Sequence, residues 1–363
     1  MPTPLESIID RIDLFFTDRR NPEGSFQRAL RCFRLTVFGA NLLYLLSLVS
    51  LLVAISVVGE RFWLLALLLY IPVHLWLTPL LVLTPVTILV CPRQLILHLC
   101  ACLWVCFHGG LVYSPEGGGG DRTVTVVTSN QGNRNGVRLS PFLAEIEPDF
   151  LVFQEARHRR RAFARTYPDW HVEGTGEFVI VSRFPLKSTR IIRIPLENGS
   201  TFPVAARFEA KIADGTTVAV YAVHVPTPRS DLERLIGLGL FAAEGRRAFK
   251  ESVAERIHLV EGLLNILQEE RLPYLLAGDF NIPARGYLYS MIADRAQDVF
   301  FDKGLGFGYT FPGDSRNPAV FFKPWLRLDY VFASEAWEPL SCRVEPGSRA
   351  QHRAVAATVV LRE

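Results

Sequence analysis

Carboxylate, amide and imidazole side chains recur through the C-terminal part of this 363-residue sequence, each close to a short apolar run. They are Asn130, Glu155, His224, Asp279, Asn281, Asp329 and His352. Carboxylate and amide oxygens suit a hard cation, and imidazoles can transfer protons or bind phosphate. Singly, each residue has an ordinary explanation, since Asn and Asp are common turn formers and a lone His usually packs or is exposed. Together they predict metal-assisted attack of water on phosphorus.

The apolar runs beside these residues are predicted strands. Short β-branched runs between turn residues occur at 123–129, 150–153, 178–182, 204–212, 216–224, 273–277, 329–333 and 357–361. Between two of them, residues 251–270 carry apolar side chains at three-to-four spacing, which predicts a helix with one buried face. Because open α/β sheets place their sites at strand ends, we expect the polar side chains to meet at one edge.

Seven short motifs follow one another in a characteristic order. They are Thr128-Ser129-Asn130, Phe153-Gln154-Glu155, Ser182-Arg183-Phe184-Pro185, Val223-His224, Gly278-Asp279-Phe280-Asn281, Arg327-Leu328-Asp329-Tyr330 and Gln351-His352-Arg353. In this order the chain resembles the endonuclease/exonuclease/phosphatase superfamily, which includes deoxyribonuclease I, abasic-site endonucleases, sphingomyelinases and inositol-polyphosphate phosphatases. The resemblance covers about residues 122–363, and Gly-Asp-Phe-Asn and Arg-Leu-Asp-Tyr are its most specific pieces.

The resemblance implies an α/β (α+β) four-layer sandwich, in which two mixed β-sheets pack face to face with helices outside. It implies that Glu155 holds Mg²⁺ or Mn²⁺ and that Asn130 lies beside the ion and the substrate. By the same resemblance Asp279 orients or deprotonates the attacking water, and Asn281 steadies that water or a phosphate oxygen.

The two histidines receive different roles from the resemblance. His224 would donate to a non-bridging oxygen as charge builds in the transition state. Asp329 and His352 would pair, and the imidazole would act as a base or as a phosphate-binding cation. One position departs from the family, which usually has Asp before the final histidine, where this chain has Gln351. A neutral amide can bind phosphate but adds no charge toward a metal, so one or two metals remain open.

An arginine cluster follows Glu155 at residues 157–161, interrupted by His158. One interpretation is an anion-binding rim, in which Arg157 contacts the substrate or an acidic membrane surface. The other is a solvated helix start with no ligand.

The N-terminal third of the chain has a different composition. The sequence is 49% hydrophobic and 21% charged, its mean hydropathy is +0.21, and nearly all the apolar excess lies in residues 35–113. Residues 35–58 lack charge and would extend about 36 Å as a helix, enough to cross a hydrocarbon core of about 30 Å. Residues 62–90 contain three prolines and predict a kinked span or a re-entrant element. Residues 95–113 predict a third span.

Arginine placement predicts the orientation. Six arginines precede residue 35 and one follows the first span, so the N-terminal segment 1–34 is expected in the cytoplasm. Three crossings at residues 35–113 would place the C-terminal domain, residues 122–363, outside the cytoplasm of a bacterial inner or cell membrane. If residues 62–90 do not cross, this orientation inverts. A Gly-rich linker, residues 114–121, separates the two regions.

The charge balance bears on the partner. The chain has 39 Lys and Arg against 36 Asp and Glu, a net charge of +3, which is too even to favour a nucleic-acid partner. The leading hypothesis is a membrane-anchored, metal-dependent phosphoric ester or pyrophosphate hydrolase, with the lipid bilayer and a lipid-linked phosphate as partners. The chain is also similar to a bacterial subgroup of the superfamily with this layout, for which a lipid-pyrophosphate role is suggested. The alternatives are an extracytoplasmic nuclease acting on DNA and a non-catalytic membrane scaffold.

Overall fold

A computed structural model of the chain describes residues 25–114, 117, 122–132, 141–240, 242–313, 324–347 and 351–362. The chain forms two compact units. The apolar unit comprises Met1–Ala54 and Ile71–Gly109, and the sandwich unit comprises Ile55–Tyr70 and Gly110–Glu363. The predicted linker 114–121 and the first 24 residues of the N-terminal segment lie largely or wholly outside the described residues.

The described part of the chain contains the following strands and helices. The strands are β1 (Val112–Tyr113), β2 (Thr123–Asn130), β3 (Phe150–Gln154), β4 (His171–Thr175), β5 (Phe178–Ser182), β6 (Leu186–Pro195), β7 (Thr201–Lys211), β8 (Thr217–His224), β9 (Tyr274–Asp279), β10 (Gln297–Asp298), β11 (Leu305–Gly306), β12 (Asp329–Ala333), β13 (Trp337–Val344) and β14 (Val355–Leu361). The helices are α1 (Ser25–Val57), α2 (Trp63–Leu68), α3 (Leu80–Val90), α4 (Leu95–His108), α5 (Pro141–Ile146), α6 (Arg160–Thr166), α7 (Arg229–Leu238), α8 (Ala243–Gln268), α9 (Tyr287–Ala293) and α10 (Val299–Lys303).

Two six-stranded mixed sheets form the sandwich. The first sheet has the order β10-β12-β9-β8-β7-β6, and the second has the order β13-β14-β2-β3-β5-β4. Each sheet has one parallel pair at its centre, β8 with β9 and β2 with β3, and its other neighbours are antiparallel. His224 and Asp329 both lie opposite Asp279, on its two neighbouring strands. The register therefore groups these three side chains before any packing is considered.

Apolar side chains fill the space between the sheets. Phe150 and Phe208, from opposite sheets, are fully buried in this central core. Strands β3 and β9 are buried along their whole length, because helices cover their outer faces. Helix α8 packs Leu259 on the first sheet, and Phe163 of α6 stacks on Phe153 of the second with ring centroids 4.2 Å apart. The predicted four-layer sandwich is confirmed.

All eight predicted strands form, and helix α8 begins eight residues before its predicted start. Strands β4, β6 and β13, among others, were not predicted from the sequence. Strand β6 is largely exposed at the sheet edge, so its apolar alternation is weak.

The apolar unit contains the membrane-span candidates. Within the described residues, Arg28–Val57 and Val73–Val90 are long and apolar enough to cross a bilayer. Helix α4 has 14 residues, or about 21 Å, which is shorter than a hydrocarbon core of about 30 Å. A third span therefore stays a prediction.

A buried polar network ties the helices of the apolar unit together. Asn41 of α1 donates to Thr87 of α3 at 3.0 Å and to Gln94 at 3.1 Å. His98 of α4 lies 3.1 Å from Asn41 Oδ1 and 2.9 Å from Thr84 Oγ1. Hydrogen bonds of this kind are the usual polar contacts between helices in lipid.

The predicted element 62–90 divides at Ile71. Its first part belongs to the sandwich unit, where Ala66 packs with Leu235 and Phe249. The carboxylate of Glu60, just before α2, is buried and accepts a hydrogen bond from Leu288 N at 3.3 Å. Apolar residues that read as lipid-facing in the sequence thus cover helices α7 and α8.

Candidate active site

The central parallel pairs end at the same edge of the sandwich. Asn130 ends β2 and Glu155 follows β3, while His224 ends β8 and Asp279 ends β9. The two sheets are joined there by a hydrogen bond from Asn130 Nδ2 to Asp279 Oδ2, at 2.9 Å. The structure therefore brings together four of the predicted residues from two sheets.

Asp279 lies at the centre of this group and is 1% exposed. Its Oδ2 is 3.5 Å from His352 Nε2 and 4.0 Å from His224 Nε2. Its Oδ1 accepts a hydrogen bond from the backbone N–H of Asn281 at 2.9 Å. A carboxylate fixed in this way, between two imidazoles, can orient a water molecule or accept its proton.

Asn130 links two carboxylates. Its Nδ2 donates to Glu155 Oε1 at 3.0 Å as well as to Asp279, and its Oδ1 accepts from Gly132 N at 2.8 Å. Because a backbone N–H can only donate, this contact determines which way the amide faces. Asn130 thus turns its NH₂ group toward the carboxylates and holds them in position, while its oxygen is engaged by the turn.

His224 is oriented by a carboxylate that sequence analysis did not identify. Glu177, in the turn between β4 and β5, places Oε1 3.0 Å from His224 Nδ1. Nε2 therefore faces Glu155, at 3.9 Å, and Asp279. Burial alone would lower the pKa of His224, but the hydrogen bond with Glu177 and the nearby carboxylates raise it above its ordinary value. Glu177 belongs to none of the seven motifs, so no local signal could have identified it.

Asp329 and His352 form the predicted pair. His352 Nδ1 is 2.9 Å from Asp329 Oδ2, and its ring lies against Phe311. Thr310 Oγ1 accepts the backbone N–H of Asp329 at 3.2 Å, which fixes the start of β12. Burial alone would lower the pKa of His352, but Asp329 and Asp279 raise it to about 10. Burial raises the pKa of Asp329 despite the facing imidazole.

Asn281 is held by the residues behind it. Its Nδ2 donates to Val225 O at 2.9 Å. Its carbonyl oxygen accepts from Arg256 Nη2 at 2.5 Å and from Tyr70 OH at 3.3 Å, and Arg256 Nη1 donates to the same hydroxyl at 2.8 Å. Arg256 is 1% exposed on helix α8. Neither Arg256 nor Tyr70 was a predicted site residue. Arg256 lies within a predicted helix and Tyr70 within an apolar run, so neither stands in a motif.

Glu155 and Asn281 both adopt left-handed backbone conformations, with φ of 50° and 51°. Non-glycine residues seldom occupy this region, and they persist there only where the surroundings enforce it. Glu155 directly follows the last residue of β3, and Asn281 follows the last residue of β9 with one residue between them. The strained backbone turns their side chains into the edge of the sandwich.

The oxygens of Glu155 and Asp279 fit a hard divalent cation. The Glu155 side chain is 26% exposed, and an oxygen donor set is what Mg²⁺ and Mn²⁺ prefer. Asp279, Asp329 and His352 also have ligand atoms within 4.8 Å of one another. However, both ring nitrogens of His352 face carboxylates, so an imidazolium offsets one carboxylate charge of this second group and leaves no ring nitrogen directed at a metal. The residues therefore fit a cation on the Glu155 side.

The predicted substrate-binding residues differ in their positions. Arg157 is exposed, whereas Arg159 turns inward and donates to Gln131 Oε1 at 2.9 Å, next to Asn130. Gln351 is exposed beside His352, and its carbonyl accepts from Gly313 N. Arg159 is thus the member of the arginine cluster that is buried and bonded to the residue after Asn130.

Comparisons with known proteins identify the domain. A family model described as the endonuclease/exonuclease/phosphatase family matches residues 116–350, more than half of the chain. None of the curated proteins matches the sequence. Similar solved structures include an endonuclease/exonuclease/phosphatase family protein of Bacteroides thetaiotaomicron (15% identity, TM-score 0.48, covering 66% of this chain and 98% of that one). Others are the human Nocturnin catalytic domain with bound sulfate (14%, 0.45, 66% and 95%) and a B. thetaiotaomicron mannosyl-6-phosphatase (15%, 0.45, 66% and 100%).

Proposed function

Because this chain belongs to the endonuclease/exonuclease/phosphatase family, whose members are hydrolases acting on phosphoester bonds, we propose that it is a membrane-anchored phosphohydrolase. Its substrate is a lipid-linked phosphoester or pyrophosphate, and a divalent cation, Mg²⁺ or Mn²⁺, assists the reaction. The observation that supports hydrolysis best is the convergence of two carboxylate-oriented histidines on Asp279, next to the cation-fitting Glu155.

Each side chain has a role that follows from its contacts. Asp279 orients the attacking water and accepts its proton, and Asn281 steadies that water. His224, with Nδ1 held by Glu177, presents Nε2–H to a non-bridging phosphate oxygen. His352 carries the charge that balances Asp329 and offers Nε2–H to a second oxygen. A cation held at Glu155 supplies charge neutralisation of the phosphoryl group.

The membrane-span candidates of the chain support a lipid-linked substrate. The same polypeptide carries two helical segments long enough to span a membrane, and residues 58–70 between them belong to the sandwich unit. A soluble polymer gains little from such a tether, whereas confinement raises the effective concentration of a lipid-linked phosphate. The net charge of +3 gives no electrostatic advantage to DNA.

The test is a substrate panel for the full chain in lipid vesicles. Polyprenyl pyrophosphate, phospholipid phosphates, a soluble chromogenic phosphoester and duplex DNA are each assayed with Mg²⁺, with Mn²⁺ and with chelator. We expect hydrolysis of a lipid phosphate that chelator abolishes. Faster turnover of DNA than of every lipid phosphate would contradict the proposal and favour the nuclease.

Glu155→Gln tests the assignment of Glu155 as the metal ligand. The variant should stay folded and lose at least about 100-fold in turnover, because an amide binds Mg²⁺ far more weakly than a carboxylate. Manganese binding to purified protein, followed by electron paramagnetic resonance, should weaken in parallel. Unchanged turnover and binding in a folded variant would remove Glu155 as the ligand.

A further inference from the structure

We propose that one continuous face of the sandwich unit, the junction face, lies against the lipid bilayer. It is formed by the exposed apolar side chains of Phe62, Leu64, Tyr113, Ile236, Leu238 and Leu305. Tyr113 is 87% exposed and Leu305 is 70% exposed, values unusual for large apolar side chains. The inference deepens the proposed function, on which it rests only for the lipid nature of the substrate.

The exposed apolar residues of the sandwich unit are not scattered. Every large apolar side chain that is exposed among its described residues lies in a segment next to an apolar helix or in an element packed against such a segment. Phe62 and Leu64 follow helix α1 by a few residues, and Tyr113 follows helix α4. Single exposed apolar residues need no explanation, but their restriction to these segments does.

Side-chain contacts join these segments into one surface. Helix α7, which ends at Leu238, packs on α2 through Leu235 and Ala66. From α2 the surface continues through Arg61, whose guanidinium lies 3.8 Å from the ring centroid of Tyr287. Arg285, two residues earlier, lies 5.0 Å from the ring of Phe301 in α10.

After α10 the surface continues to strand β11 and to its partner β1, which follows apolar helix α4 in the chain. Strand β11 pairs with β1, so that Leu305 lies opposite Tyr113. The junction face thus extends from the end of α7 to the β1–β11 pair without leaving the segments that adjoin the apolar helices.

Chain connectivity identifies the occupant as lipid. Val57 ends one candidate span, and Val73 begins the other only three residues after Tyr70. Three residues reach at most about 11 Å, so α2 must lie at a membrane surface if these segments span. Aromatic and arginine side chains, such as Trp63 beneath Arg246 at 5.9 Å, are the residues that membrane interfaces favour.

The junction face is linked to the candidate site by the loop that follows β9. The chain from Asn281 to Tyr287 connects the two, since Asn281 contacts Asp279 and Tyr287 stacks on Arg61. A phosphate at headgroup height would therefore be delivered beside the catalytic group. This arrangement explains why a hydrolase of lipid-linked phosphate would carry exposed leucines near its site.

The test measures membrane depth in the full chain. In a variant whose six cysteines are alanine, single cysteines replace Leu238, Leu305 or, as control, Thr189, which is exposed on edge strand β6. Each is labelled with a nitrobenzoxadiazole fluorophore and the protein is reconstituted in phosphatidylcholine–phosphatidylglycerol vesicles. We expect lipid-borne nitroxide to quench the label at 238 and 305, with blue-shifted emission, and aqueous iodide alone to quench the label at 189.

Two outcomes would overturn the proposal: iodide quenching at all three positions, or protection of 238 and 305 from both quenchers, which indicates a second copy or another protein on this face. Rates of hydrolysis show whether the junction-face proposal or the proposed function has failed. Paired Ile236→Glu and Leu238→Glu changes, outside the catalytic group, should lower the rate on lipid phosphate but not on a soluble phosphoester. Quenching by lipid without any lipid-phosphate hydrolysis would leave the junction face standing and refute the substrate assignment.

Discussion

Each histidine of the candidate site is paired with a carboxylate on the ring nitrogen that points away from the site. Glu177 faces Nδ1 of His224, and Asp329 faces Nδ1 of His352. Both contacts raise the pKa of the imidazole against the effect of burial. These contacts favour the protonated form of both rings, which suits the proposed role of donors to phosphate oxygens. Of the two roles left open for His352 by the sequence, the phosphate-binding cation fits this geometry better than the base.

We expect Glu177→Gln to lower turnover by about 10- to 100-fold, the usual effect of removing the partner that orients a site histidine. The pKa of His224 should fall because its carboxylate partner is lost, so the alkaline limb of the pH–rate profile should move to lower pH. Glu173→Gln is the control, since Glu173 lies on neighbouring strand β4 and pairs at the surface with Arg160. An unchanged pH profile in a folded Glu177→Gln protein would contradict the assigned role.

At the scale of elements, the loop after β9 is buttressed by two segments far away in sequence. Arg256 on α8 and Tyr70 after α2 both bind the carbonyl of Asn281. The left-handed conformation of Asn281 thus depends on residues about 25 and 211 positions away. The segment between the two candidate spans is therefore part of the support of the site.

Tyr70→Phe should weaken this support without removing an apolar contact. It deprives the buried Arg256 Nη1 of its acceptor, and a hydrogen bond to a charged group contributes about 1.5–3 kcal/mol. We expect turnover to fall while KM changes little, because the proposed role of Asn281 is to steady the attacking water. Tyr167→Phe, at a tyrosine that packs on Trp170 and lies outside the junction face, is the control. Equal turnover numbers for Tyr70→Phe and wild type would show that the loop holds its conformation unaided.

A second prediction at this scale concerns the end of helix α8. Glu270 accepts from Arg207 Nε at 2.6 Å and from Tyr221 OH at 2.7 Å. Burial alone would raise the pKa of Glu270, but these partners lower it to about 2. The ion pair therefore stabilises the fold fully above pH 4.5, and its contribution is lost as the pH falls toward 2. We expect Glu270→Gln to unfold more easily at neutral pH and to approach wild type in acid, as measured by urea titration. A difference in unfolding free energy that does not depend on pH would contradict this.

The sequence predicted the residues that stand at strand ends, because a motif and a strand end are both local features. Asn130, Asp279 and Asp329 could be assigned without knowing which strands are neighbours. Glu177 and Arg256 could not, since their roles exist only through contacts between elements distant in the chain. Residues 59–70 were assigned to the membrane region for a related reason. The sequence shows that a side chain is apolar but does not show whether lipid or helices α7 and α8 cover it.

At the scale of the molecule, connectivity constrains the orientation in the membrane. Residues 55–70 and 110–363 belong to one compact unit, so they lie on the same side of any membrane that the apolar helices cross. If helix α1 spans, its N-terminal end lies on the opposite side. If the segment 71–109 crosses twice, the turn Pro92–Gln94 lies on the side of that end. This turn carries Arg93, as the positive-inside rule favours.

We therefore expect the N-terminal segment and Arg93 in the cytoplasm and the C-terminus outside it. Reporter fusions after Arg34 and after Glu363 test the two ends. In the cysteine-free full chain, Arg93→Cys tests the turn, since a membrane-impermeant maleimide should label it only after the cells are opened. Labelling of intact cells at position 93 would show that the segment 71–109 does not cross. A cytoplasmic C-terminal reporter would mean instead that the sandwich unit faces the cytoplasm, because α2 and the strands cannot be separated by a bilayer without exposing the buried Glu60 and Arg256.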